Sequence, residues 1–139
     1  MPQQVSWLIE DIVILGKVWG TNALEGLQEY NDDVNNFLDA SKAEKVLLVY
    51  DGRAAEGMPP LRAFQSFTFP KHPRFKGVIV LRSMNPFLNF IASAATQIAG
   101  VRAYFANTPE EVFKLLHDLI PDLPDTTAYQ AVLEAQTDA

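Results

Sequence analysis

The run Val46-Leu47-Leu48-Val49-Tyr50 ends on Asp51 and Gly52. A carboxylate at the end of an apolar strand sits where a parallel sheet presents its working groups. Such a group can accept a phosphoryl group, bind a ligand or simply shape the next turn. Phosphoacceptor chemistry needs more than Asp51: an acidic pair after the first strands to hold Mg²⁺, a hydroxyl after the next strand and a lysine after the one beyond. Ser83 fits the hydroxyl role, but no acidic pair is present and Ala106-Asn107 stands at the lysine position. The turn-forming reading is therefore favoured, with the carboxylate accepting nearby backbone N–H groups.

The remaining chemistry-bearing residues give an enzyme no anchor. The segment "GRAAEGMPPL" has two glycines but lacks the Lys-Ser/Thr of a phosphate-binding loop and the spacing of a dinucleotide fingerprint. It reads as a loop in which Gly57, Met58 and Pro59 could shape a ligand entrance. His72 and His117 have no second histidine at ligand spacing, there is no cysteine, and no Gly-x-Ser-x-Gly elbow occurs. These absences lead us to expect no catalytic residue, no metal and no cofactor. A net charge of -6 argues against a general nucleic-acid binder. Residues 53 to 82 are an exception, carrying Arg53, Arg62, Lys71, Arg74, Lys76 and Arg82 against Glu56 alone.

Within that basic stretch, "LRAFQSFTFPKHPRFKG" interleaves Phe64, Phe67, Phe69 and Phe75 with Arg62, Lys71, His72, Arg74 and Lys76. Aromatic anchors beside cations suit an anionic partner or lipid headgroups. The plainer reading, favoured on pattern, buries the Phe residues and leaves the cations in water.

The elements that must position these groups alternate between strand and helix. Val5, Trp7 and Ile9 form a first strand, and "IVILGKVW" a second after a tight turn at Glu10-Asp11. Asn22 and Glu25 have capping-box spacing, and Leu24, Leu27, Tyr30, Val34, Phe37 and Leu38 make a helical stripe to about Ala40. "KVLLVYD", "GVIVLRS" and "VRAYFA" are apolar enough to be strands buried on both faces. A short helix is counted at residues 60 to 69. The helix from Asn85-Pro86 to Gly100 carries Phe87, Phe90, Ile91, Ala94, Ala95 and Ile98 on a face expected to cover the sheet. Its other face, Leu88, Ala92, Ser93, Thr96 and Ala99, is small enough to let another helix approach closely, which suits a homodimer contact or simple packing inside the monomer. Thr108, Pro109 and Glu111 predict a capped terminal helix, and "TTAYQAVLEAQ" a short tail helix that packs on a partner or frays. No apolar run reaches the roughly 18 to 20 residues of a membrane span. The start "MPQQVSWLIEDIVIL" lacks a basic region and cleavage site, so a cytoplasmic location is expected.

This order, with "VWGTNALEGLQEYNDDVNNFL", "VLLVYDGRA", "KHPRFKGVIVLRS" and "VRAYFANTPEEVFKLL", resembles the STAS domain of anti-sigma-factor antagonists and the wider SpoIIAA-like superfamily, which includes Sec14-like lipid-binding modules. The resemblance spans about residues 5 to 120. It implies a single α/β domain with a mixed, mainly parallel sheet, an antiparallel N-terminal strand and covering helices. Regulatory members carry a phosphorylatable Ser or Thr in an Asp-Ser-Ser/Thr-Gly-like turn after the strand matching 46 to 51. Here no hydroxyl residue lies between Asp51 and Ser66, so the usual switch has no acceptor.

We therefore expect a STAS-like domain over 1–121 and a tail over 122–139, without enzymatic activity. Its expected role is binding or regulation through protein contact, with a homodimer among the partners considered. The alternative is a small carrier of a lipid or other apolar molecule, with "FQSFTF" and "MNPFLNF" lining its pocket. An anionic ligand is a further candidate and nucleic acid is not. The candidate binding residues are Asp51, Arg53, Met58, Phe64, Phe67, Arg82, Met84 and Asn85.

Overall fold

The computed structural model describes residues 3–20, 27–57, 61–82 and 85–135. Asn22 and Glu25 of the expected capping box, together with Met58, Pro59, Ser83 and Met84, lie outside the described residues. Strands β1 (Gln3–Ile9), β2 (Val13–Gly20), β3 (Val46–Ala55), β4 (Phe75–Leu81) and β5 (Ala103–Ala106) form one sheet in sequential order. β1 and β2 are antiparallel and the remaining neighbours parallel. Asp11, at a φ of 69°, makes the tight turn between the first two.

Sequential order has a strong consequence. A right-handed crossover repeated in one direction along the sheet puts every connecting segment on the same face. Helix α1 (Leu27–Ala40), the 3-10 turns Leu61–Ser66 and Phe69–Lys71, and helix α2 (Pro86–Ala99) are the three connections. Tyr30, Val34, Leu38, Phe69 and Ala92 from these segments pack with Ile14, Val18, Leu48, Val78 and Val80 in one core cluster. The opposite face must be covered by the chain beyond β5. Helices α3 (Pro109–Leu119) and α4 (Thr127–Ala135) supply Val112, Phe113, Leu116 and Leu133 to a second cluster with Leu15, Leu47, Val49, Ile79 and Leu81. The tail helix thus packs on its own domain, with Leu133 fully buried.

Local signals set the helix ends as expected. Thr108 Oγ1 accepts from the Glu111 N–H at 3.2 Å, while Glu111 reaches back to the Asn107 N–H at 2.6 Å. Gly100, at a φ of 74°, caps the C-terminus of α2.

Two expectations are corrected. β3 does not turn at Asp51-Gly52 but continues to Ala55, because a register shift lets Trp19 and Gly20 pair with Ala54 and Ala55. Helix α2 is also turned from the expected orientation: Ala95 of the expected face is buried, but it is joined there by Leu88 and Ala92 of the other face. Phe87 and Phe90 are 67% and 69% exposed. The small face seats against the sheet and the arm at 61–66, where bulky side chains would hold the helix away.

Candidate functional site

The face bearing α1 and α2 carries a half-open cavity of about 90 Å³. Its floor is Val18, Leu48, Tyr50, Val78 and Val80 of the sheet. Leu27 and Tyr30 of α1 form one wall, and Ala92, Ala95 and Thr96 of α2 another. Phe64, Phe67 and Phe69 of the arm close a third side, and Gln3 stands at the edge of the floor. Short side chains on α2 create this space. A helix seated on alanine leaves a gap that leucines would have filled.

The arm is held by a buried amide. Asn31 Oδ1 accepts from the N–H groups of Thr68 and Phe69 at 2.9 and 3.3 Å, and its Nδ2 donates to Thr68 Oγ1 at 3.1 Å. Asn35 donates to the same hydroxyl at 2.9 Å. Farther along, His72 Nε2 meets Asp39 Oδ1 at 2.8 Å while His72 Nδ1 accepts from the Arg74 N–H at 3.1 Å. Bonded through both ring nitrogens, His72 pins the loop to α1. The arm's rings form a chain: Phe64–Phe67 at 5.5 Å, Phe67–Phe69 at 4.9 Å and Phe69–Phe75 at 5.2 Å, with Tyr30 stacked on Phe67 at 6.1 Å. These aromatics are core, and Arg62, Lys71 and Lys76 project outward from them. The basic-aromatic segment therefore presents cations without exposed aromatic anchors, except for the half-buried Phe67.

Most of the cavity wall is apolar. Among the described residues the polar exceptions are Thr96, Gln3 and the two tyrosines, and no lining side chain is charged. Gln3 Nε2 and Tyr30 Oη are buried without a hydrogen-bond partner, an arrangement that costs about 1–3 kcal/mol per group when nothing fills it. Burial, with a smaller contribution from neighbouring Tyr50, pushes the Tyr30 hydroxyl far above the usual phenol range. Burial likewise raises Tyr50, with Asp51 as the lesser cause. Both hydroxyls thus keep their protons.

The expected site residues divide between the two faces of the sheet. Phe64 and Phe67 line the cavity. Arg82 borders a smaller adjoining recess with Tyr50, Gly52 and Leu88, its guanidinium 4.9 Å from the Phe105 ring centroid. Asn85 is the N-cap of α2, its Oδ1 accepting from the Phe87 and Leu88 N–H groups at 2.9 and 3.4 Å. Asp51 and Arg53 belong to the opposite face. Arg53 Nε and Nη2 donate to the two Asp51 carboxylate oxygens at 2.9 and 2.8 Å, and Nη2 also donates to the Leu133 carbonyl of α4 at 2.8 Å. Asp51 is 2% exposed and register-paired with buried Lys17, so its carboxylate secures the tail helix. Gln3, Tyr30, Tyr50, Ala92, Ala95 and Thr96 were not anticipated at the site. Among the described residues no group of three or more His, Asp or Glu could hold a metal ion, and no helix is long and apolar enough to cross a membrane.

No family model matches the chain, and no curated protein matches it in sequence. Among solved structures it is similar to an uncharacterized protein of the DUF3478 family, with a SpoIIAA-like fold, from Shewanella loihica PV-4. The TM-score is 0.57 at 15% identity, covering 82% of this chain and 91% of that one. The fold is SpoIIAA-like, as the sequence resemblance implied, and the likeness extends to the fold alone.

Proposed function

We propose that this chain is a non-enzymatic, cytoplasmic binding module that holds a small, predominantly apolar molecule between its sheet and the α1–arm–α2 layer. The observation that carries this reading is the largely apolar cavity of about 90 Å³ walled by Phe64, Phe67, Phe69, Ala92 and Ala95. An apolar cavity of about 150 Å³ stays dry and takes up benzene, and this smaller space, open on one side, suits a compact ring partly inserted or the end of a chain. Titrating ¹⁵N-labelled protein with benzene tests it. Amide shifts centred on Val18, Leu48 and Ala95, lost in Ala95→Leu, support the reading. Shifts confined to α3 and α4, or none, oppose it.

A second reading, contact with another copy of the chain, is favoured by the outward face of α2. Phe87 and Phe90 are exposed there, and the helix carries no charged residue. Two copies can therefore meet along it without desolvating ions. Light scattering that gives a 15.5 kDa monomer at high concentration removes this reading.

A further inference from the structure

The cavity has a polar end, where two buried groups able to donate a hydrogen bond have no partner. Gln3 and Val18 are register partners, as are Gly16 and Tyr50, on neighbouring strands. Tyr30 descends from α1 onto this corner, and a Cβ on Gly16 would lie within 2.9 Å of Tyr30 Cε2. Gln3, Tyr30 and Tyr50 thus gather at one corner of a chamber that is otherwise hydrocarbon. Tyr30 is 5% exposed and Gln3 9% exposed, and Tyr30 Oη and Gln3 Nε2 lack partners. An amide nitrogen only donates, and a phenol that keeps its proton can donate. The corner therefore offers hydrogen-bond donors with nothing to receive them.

Among the described residues no charged side chain lines the cavity, so none of them sets a cation beside these donors. A carboxylate or phosphate would be stripped of water with no opposite charge to meet, a cost that neutral donors do not offset. A neutral acceptor oxygen suffers no such penalty and would satisfy the waiting groups. Resting on the small-molecule reading above, we propose that the ligand is an uncharged, mainly apolar molecule whose carbonyl or ether oxygen accepts from Tyr30 Oη and Gln3 Nε2. Fatty acid anions and phosphorylated headgroups are disfavoured at this corner, where no charged side chain among the described lining residues would meet them.

Three probes of similar skeleton test it by NMR titration of the full chain: cyclopentanone, cyclopentane and cyclopentanecarboxylate, each with wild type and Tyr30→Phe. The expected result is that cyclopentanone loses about fivefold to tenfold in affinity in Tyr30→Phe, the worth of one neutral hydrogen bond. Cyclopentane is unchanged by the same substitution, and the carboxylate fails to shift the cavity amides at neutral pH. If cyclopentane binds but both uncharged probes respond alike to Tyr30→Phe, the donors are idle or water-filled. The head-group assignment then falls while the cavity reading stands. A carboxylate that binds wild type more tightly than the ketone also overturns the assignment. If none of the probes binds, both readings fall. The comparison among probes on wild type is informative even where the variant folds poorly.

Discussion

The ring of Tyr30 occupies the space in which Gly16 would carry a side chain: a Cβ built there meets Tyr30 Cζ at 2.8 Å. A strand residue without a side chain and a helix residue with a long one are thus fitted to each other. Gly16→Ala should destabilise the protein by about 1–3 kcal/mol through overpacking, although alanine is ordinarily preferred to glycine in a strand interior. Replacing Tyr30 with Leu in the same chain should recover part of the loss. A double-mutant cycle from urea unfolding should show a coupling of about 1 kcal/mol or more. Additive effects would mean the two residues are not fitted in this way.

Tyr30→Phe removes a buried hydroxyl that has no partner in the unliganded protein. It should therefore stabilise that form by about 1 kcal/mol, or roughly 4 °C in Tm for a domain of this size. Stabilisation of the empty protein together with weaker ketone binding distinguishes a ligand-facing donor from a structural one. A drop in Tm would show that the hydroxyl already has a partner.

Arg53 joins Asp51 to the last helix of the chain. The pair is largely buried, with side-chain exposures of 15% for Arg53 and 2% for Asp51. Arg53→Ala leaves the buried Asp51 carboxylate with the residue-53 backbone N–H but without its guanidinium, and should cost about 3 kcal/mol. It should also speed amide exchange in α4, where the Leu133 carbonyl loses its donor. Benzene affinity should stay within twofold of wild type because the sheet separates this pair from the cavity. A large change in affinity would place Asp51 and Arg53 back in the binding site.

Much of the fold was legible in the sequence because it rests on local and periodic signals. Thr108-Pro109-Glu111 specified the start of α3, Gly100 the end of α2, and the apolar runs the parallel strands. The face of α2 was only partly legible, because large side chains ordinarily mark the buried stripe. Here Phe87 and Phe90 point outward, while Leu88, Ala92 and Ala95 pack inward to leave a cavity. Phe64 and Phe67 were found from their clustering, but the polar corner depends on tertiary fit between Gly16 and Tyr30. The one available signal was a glycine inside an apolar strand, which marks a close approach. Asp51 was misleading for the same reason that it was conspicuous. Strand-end carboxylates suggest chemistry, but sequential strand order with right-handed crossovers puts this one on the face that α4 covers.

Acidification should loosen α4 first. Thr127 lowers the Asp125 pKa below its ordinary value of 3.8, its N–H at 3.1 Å and its hydroxyl at 2.9 Å both donating to Asp125 Oδ1, with nearby His117 a lesser cause. A lowered folded-state value means that the stabilisation is present above the unfolded carboxylate's pKa and is lost as pH falls through the lowered one. The protection of the Thr127 amide, measured against its intrinsic exchange rate at each pH, should fall below about pH 4, and Asp125→Asn should remove that component of the pH dependence. An unchanged profile in Asp125→Asn would assign the acid sensitivity elsewhere.

The central claim is that the chamber beneath α2 holds an uncharged small molecule. Native mass spectrometry of the protein purified gently from its own host tests that claim most directly. Wild type should carry a neutral adduct that leaves on denaturation, and Ala95→Leu, which fills the chamber, should fly at the bare chain mass of 15.5 kDa. Wild type at the bare mass, or an adduct retained equally by Ala95→Leu, would contradict the claim.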